Sequence, residues 1–149
     1  MREKRTNTKD FFITSEASRV TGVRHRTMDY WAKTKLLVPS IADAKGTGTD
    51  RRYSFDDLVA LRVARELRDA GISTQKLRTV VKGLQGKGWL NPLADCKLLM
   101  IGNHLHIVHS CMEVESLLNK PGQTVFAFMV DLSRTVQEVK TEVRLLRAA

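Results

Sequence analysis

The chain has 149 residues, with 25 Lys plus Arg against 16 Asp plus Glu and a formal net charge of +9. That length holds one ordinary domain or two small ones and excludes a large catalytic barrel. With 42% hydrophobic and 28% charged residues it is composed like a soluble globular protein. The longest apolar runs, Leu98 to Ile101 and Val125 to Val130, are far too short to span a bilayer, so no membrane partner is expected. The basic N-terminal stretch lacks the apolar core of a secretory signal, and Cys96 and Cys111 alone make no disulfide framework, so a cytoplasmic chain with reduced thiols is expected.

The charge is unevenly placed. Residues 1–52 carry 12 basic and 6 acidic side chains, residues 53–90 carry 7 and 4, and residues 91–149 carry 6 and 6. Counterion release from nucleic acid rewards clustered Lys and Arg. The sign asymmetry therefore predicts one half that meets a polyanion and a second half with another task.

In chain order, a first helix is predicted from about Ser15 to Thr21, with Thr14 or Ser15 as N-cap and Gly22 supplying the turn. A second follows Val23 and runs to about Lys33, with Met28 and Trp31 on one face against Ala17, Val20 and Val23. A helix, a Gly-containing turn and a helix form the helix-turn-helix pattern, whose second helix offers its N-terminal residues to base edges in the major groove. Leu36-Leu37-Val38-Pro39 and Arg52-Tyr53 bracket a Gly-rich stretch as two short strands bracket a hairpin tip, which reads as a wing. Lys45, Arg51 and Arg52 sit on it, with Gly46 and Gly48 letting the backbone approach a phosphate chain. Ser54 caps a longer helix to Ala70, with Asp56 and Asp57 in its first turn, Leu58, Leu61, Ala64 and Leu67 as its docking stripe, and Gly71 as its stop. Ser73 caps a further helix carrying Leu77, Val80, Val81 and Leu84.

The glycines and Asn91-Pro92 between Gly83 and Pro92 cannot continue a helix and read as a linker. The division is a DNA-binding unit over 10–84, a linker over 85–91 and a second domain over 92–149. In the latter, Lys97 to Ile101, a Gly102-Asn103 turn and Leu105 to Val108 read as a hairpin, followed by a helix from Glu113 to Leu118, a strand from Val125 to Val130 and a helix from Leu132 to Leu146. The fold class is α+β: a winged helix-turn-helix followed by a small β-β-α-β-α domain. Leu132, Val136, Val139, Val143 and Leu146 form an a/d-like seam that needs a partner surface, its own sheet or a twin, and a homodimer reading a pseudo-palindrome is expected.

These residues resemble the N-terminal winged helix-turn-helix of MerR-type transcriptional regulators. The resemblance rests on Val20-Thr21-Gly22-Val23, Arg26-Thr27-Met28-Asp29-Tyr30-Trp31, Leu36-Leu37, Pro39, Arg52-Tyr53-Ser54, Asp57-Leu58 and Gly71-Ile72-Ser73. Asp29-Tyr30-Trp31-Ala32, the wing Lys45-Gly46-Thr47-Gly48 and Pro121-Gly122-Gln123 before an apolar strand are similar to a subgroup best represented in actinobacteria. The resemblance implies a DNA-binding transcriptional regulator, with Arg26 reading a base and Tyr30 on a phosphate. A guanidinium pairs bidentately with guanine O6 and N7, and a phenol bonds a phosphate oxygen. Arg24, His25, Thr27 and Lys33 share the helix, and Arg51 and Arg52 carry the wing. The resemblance also implies RNA polymerase as a partner and a nucleoid-associated place in the cytoplasm. Two departures stand out: Arg24 where many members have a Ser or Thr cap, and Asp29 where many have Arg. Asp29 is expected to orient Arg26 from i+3 or to accept from a cytosine amino group.

A second reading is a metal or redox sensor, because His104, His106, His109 and Cys111 are close in sequence and Cys96 precedes the paired strand. Imidazole and thiolate suit Zn or Cu(I), but the spacing matches no closed zinc motif. Cys111 with His109 or His106 as base shows no third orienting group or oxyanion loop, so no enzyme and no cofactor are expected.

Overall fold

In a computed structural model of the chain, residues 11–42, 51–85, 97–101, 104–108 and 127–148 are described. Two helices come first, α1 (Thr14–Thr21) and α2 (His25–Lys33), preceded by a short strand β1 (Phe12–Ile13). The N-cap of α1 is Ile13, not Thr14 or Ser15, and the Glu16 carboxylate accepts the Ile13 N–H at 3.0 Å. A carboxylate reaching back to the cap amide satisfies one of the donors that a helix start leaves open.

The chain leaves α2 through Lys35 in the left-handed region, φ 66°. Lys35 N–H donates to Ala32 O at 3.2 Å and Leu36 N–H to Trp31 O at 2.9 Å. This is the paired bonding that ends a helix at a left-handed residue, here with Lys where Gly is usual. The turn drops Leu36 and Leu37 into the core, 3% and 4% exposed. It also overturns the expected pairing of the wing: the partner of β2 (Arg52–Tyr53) is β1, antiparallel, with Phe12 opposite Tyr53 and Ile13 opposite Arg52. Leu36 to Pro39 form no strand, because their apolar side chains fill the core and Pro39 has no N–H for a ladder. The wing instead closes lower, where Arg52 N–H donates to Ala42 O at 2.7 Å and Ala42 N–H to Arg52 O at 3.2 Å. The tip with Lys45, Gly46 and Gly48 lies outside the described residues.

Ser54 caps α3 (Phe55–Asp69): its Oγ accepts the Asp57 N–H at 3.1 Å, and Asp57 Oδ2 accepts the Ser54 N–H at 2.9 Å. The same Asp57 oxygen takes the Ser40 N–H at 2.7 Å, tying the stretch after α2 to the start of α3. After Gly71, Ser73 Oγ accepts the Lys76 N–H at 3.1 Å and starts α4 (Thr74–Gln85). Leu58, Leu61, Ala64 and Leu67 are buried with Ala17, Val20, Met28, Trp31 and Leu77 in one core.

The remaining elements are β3 (Lys97–Ile101), β4 (His104–Val108), β5 (Ala127–Asp131) and α5 (Leu132–Ala148). They make a three-stranded antiparallel sheet in the order β4-β3-β5 followed by the helix. The expected helix from Glu113 to Leu118, the Gly102-Asn103 turn and residues 86–91 of the linker expected over 85–91 lie outside the described residues, while Gln85 is the last residue of α4. α5 packs on α1 and α3 as well as on β3 and β5. Leu132, Val136 and Val139 are 0%, 5% and 0% exposed and belong to the same core as Met28 and Leu61, with Val143 and Leu146 packed against it. The seam, expected to pack on its own sheet or on a twin, thus lies at Leu132, Val136 and Val139 against the chain's own α1 and α3 as well as its sheet. Burying its apolar stripe there removes the same area from water without a partner. Leu98 and Val130, opposite each other on β3 and β5, join that core, which thus runs through both expected domains.

Candidate nucleic-acid interface

The turn that launches α2 is specified atom by atom. Gly22 takes φ 77°, and its N–H donates to Ser18 O at 2.8 Å. Thr21 Oγ1 donates to Ala17 O at 2.7 Å and accepts the Val23 N–H at 3.2 Å, while Ser18 Oγ donates to Val23 O at 2.6 Å. A left-handed residue is needed here, and glycine takes that conformation at no steric cost.

α2 buries Met28, Trp31 and Ala32 and turns Arg24, His25, Arg26, Tyr30 and Lys33 outward, with Thr27 half-buried. Arg24 is the N-cap and makes no side-chain cap bond. The first-turn amides, at the positive end of the helix dipole, thus lack a capping side chain, the arrangement that suits a phosphate oxygen. Arg24, Arg26, Thr27 and Tyr30 line an open hollow of about 690 Å³ whose far wall is Arg65, Arg68, Asp69 and Thr74 of α3 and α4. Arg24 and Arg26 make no ion pair with another described residue. Their charge is directed outward, beside a phenol that is 54% exposed.

Asp29 does not serve Arg26. Its Oδ1 accepts from Arg51 Nη1 at 2.9 Å and its Oδ2 pairs with Lys33 Nζ at 3.0 Å. The hydrogen bonds from Lys33 and then Arg51 hold its carboxyl below the usual range. Lys33 and Arg51 are thus partly neutralised on the helix and at the foot of the wing. Arg52 is exposed and lies over the Phe11 ring at 4.5 Å, a cation–π contact that shapes the wing base.

Residues 13–84 match the family model described as the MerR HTH family regulatory protein. Residues 13–84 thus form a MerR-family helix-turn-helix domain. It is 40% identical over 114 residues to uncharacterized HTH-type transcriptional regulators of Mycobacterium bovis and Mycobacterium tuberculosis, an alignment covering 76% of this chain and 50% of each relative. The chain spans about half the length of the curated relatives it matches.

In this MerR-family domain the hollow beside the recognition helix brings in residues that sequence reasoning did not single out: Arg65, Arg68 and Thr74. Their only sequence signal is the basic excess of residues 53–90; periodicity marks a polar face of α3 without saying what it faces. The histidines expected for a metal lie on β4, His104 opposite Ile101 and His106 opposite Leu99. Among the described residues no group of three or more His, Cys, Asp or Glu gathers to hold a metal, and Cys96, His109 and Cys111 lie outside them.

Proposed function

We propose that this MerR-family protein is a sequence-specific DNA-binding transcriptional regulator that acts as a homodimer on a pseudo-palindromic operator, in the cytoplasm at the nucleoid, with RNA polymerase as the machinery it governs. The observation that carries the reading is the first turn of α2, where Arg24 and Arg26 stand exposed without an acidic partner among the described residues, over amides that no side chain caps. In this reading Arg26 meets a guanine edge, Arg24, Tyr30 and the α2 amides take phosphates, His25 and Thr27 add groove contacts, and Arg52 with Lys45 follows the backbone on the wing. Lys33 and Arg51 act through Asp29 as much as on DNA.

One winged unit covers one half-site, so a palindrome requires two copies. Their contact uses a surface other than Leu132, Val136 and Val139, which are buried in the monomer. Selection of bound duplexes from a random pool tests the reading. Enrichment of two inverted half-sites spaced by about one helical turn of 10–10.5 bp or a multiple supports it. Absence of any enrichment, at low as well as moderate salt, overturns it.

A further inference from the structure

Two of the arginines that swell the basic count donate to backbone carbonyls within the fold. Arg65 of α3 donates from Nη1 to the Thr21 carbonyl at 3.1 Å. Thr21 is the last residue of α1, immediately before the turn into the recognition helix. A Cβ on Gly22 would collide with that guanidinium, so the glycine gives the turn its left-handed bend and also leaves room for Arg65. Asp69, one turn along α3, lies 3.6 Å from Arg65 Nε. At the other end of α2, Arg78 of α4 donates from Nη1 to the carbonyl of Thr34, the C-cap residue. Carbonyls at helix C-termini lack intrahelical donors and carry the negative end of the dipole, so a guanidinium suits both places.

We infer that Arg65 and Arg78 are positioning residues for DNA recognition, fixing the start and the end of the recognition helix to α3 and α4. The bonds of Ser18 and Thr21 close the turn upon α1, and buried Met28 and Trp31 dock α2 on the core it shares with α3. Arg65 and Arg78 add directed bonds to that non-directional packing, one from each of two successive helices. Base readout needs side-chain placement within a fraction of an ångström, so the frame that holds α2 sets how well Arg26 discriminates.

The inference rests on the DNA-binding reading, and its test separates the two. The full chain and its R65A, R78A, R65K and R78K variants are titrated with the selected duplex and with a random duplex over a range of salt. Each alanine variant is expected to lower the ratio of specific to random affinity about tenfold. The salt slope is expected to stay unchanged, whereas loss of a phosphate contact would lower it by about 0.9. Lysine keeps the charge but not the rigid fork, so R65K and R78K recover only part of the ratio. Where an alanine variant does not fold, the lysine variant is read by the same two quantities. A lower slope with an unchanged ratio, or full replacement by lysine, overturns the inference and makes these arginines phosphate contacts. Native-state hydrogen exchange gives a readout without DNA: in R65A the amides of residues 22–28 should exchange faster while those of α5 do not. If the parent chain prefers no duplex, the DNA-binding reading fails, and hydrogen exchange alone decides whether the arginines hold the helix.

Discussion

Asp29 of the recognition helix and Arg51 at the foot of the wing are joined at 2.9 Å, with Lys33 on the other Asp29 oxygen at 3.0 Å. One acidic side chain on the face that presents Arg26 and Tyr30 thus links the two elements that a winged helix uses on DNA. Its role is to fix the wing against the helix at the expense of local positive charge.

D29N should release both cations. The expected result is tighter binding to random DNA, a salt slope steeper by up to about two phosphate contacts, and a smaller preference for the operator. An unchanged slope in a salt titration would show that the wing does not depend on the pair. Because the folded carboxyl titrates below its ordinary value, the stabilisation it brings is complete above the unfolded pKa of about 3.9 and is lost as pH falls through the lower folded value. The clamp therefore holds throughout the neutral and mildly acidic range.

R26A is expected to cost about 1–3 kcal/mol at the operator and to relax a single base position. Binding to a panel of operators with one changed pair each is the measurement. Equal weakening on every sequence would assign Arg26 to the backbone instead.

L132A should destabilise the recognition helix although it lies at the start of α5. Leu132 is fully buried in the core that holds Met28 and Leu61, and Leu to Ala in such a site costs about 2–5 kcal/mol. Hydrogen exchange in α2 and in β3 should accelerate together. Loss of protection in β3 with α2 unchanged would mean that the two halves unfold independently.

E66Q tests the α3–α5 contact. Glu66 Oε2 accepts the Thr135 hydroxyl at 3.2 Å, and Arg62 pairs with Glu138 at 3.1 Å across the same helices. Burial raises the Glu66 carboxyl above its ordinary value of 4.5. A raised acid binds its proton more tightly folded than unfolded, so its contribution to stability falls as pH rises from about the unfolded value through the folded one. Glutamine keeps the acceptor without the charge. The stability gained by E66Q should accordingly be larger at pH 7 than near pH 4 in urea titrations, and a pH-independent difference would count against a buried charge at this site.

Much of the DNA-binding half is legible in sequence because its determinants are local. The Thr21-Gly22-Val23 turn, the Ser54–Asp57 reciprocal cap and the glycine stop after α3 depend on residues a few positions apart, and the side-chain period of 3.6 marks which face is buried. The outward set on α2 follows from the same period. The wing was less legible: Leu36 to Pro39 are apolar enough for a strand, yet only the packing of Leu36 and Leu37 under α2 shows that β1 takes their place at β2.

By itself the sequence settled the helices of the DNA-binding half, the Ser54 and Ser73 caps, the family and the cationic helix start, all of which rest on short-range chemistry. Tertiary structure alone decided the partners of the long side chains. Asp29 turns to Arg51 from 22 positions away, Arg65 and Arg78 reach carbonyls 44 positions away, and the Leu132 seam finds α1 and α3. Charge and periodicity say that such groups need a counterpart. Which counterpart depends on the approach of distant segments, and that is fixed only when the whole core packs.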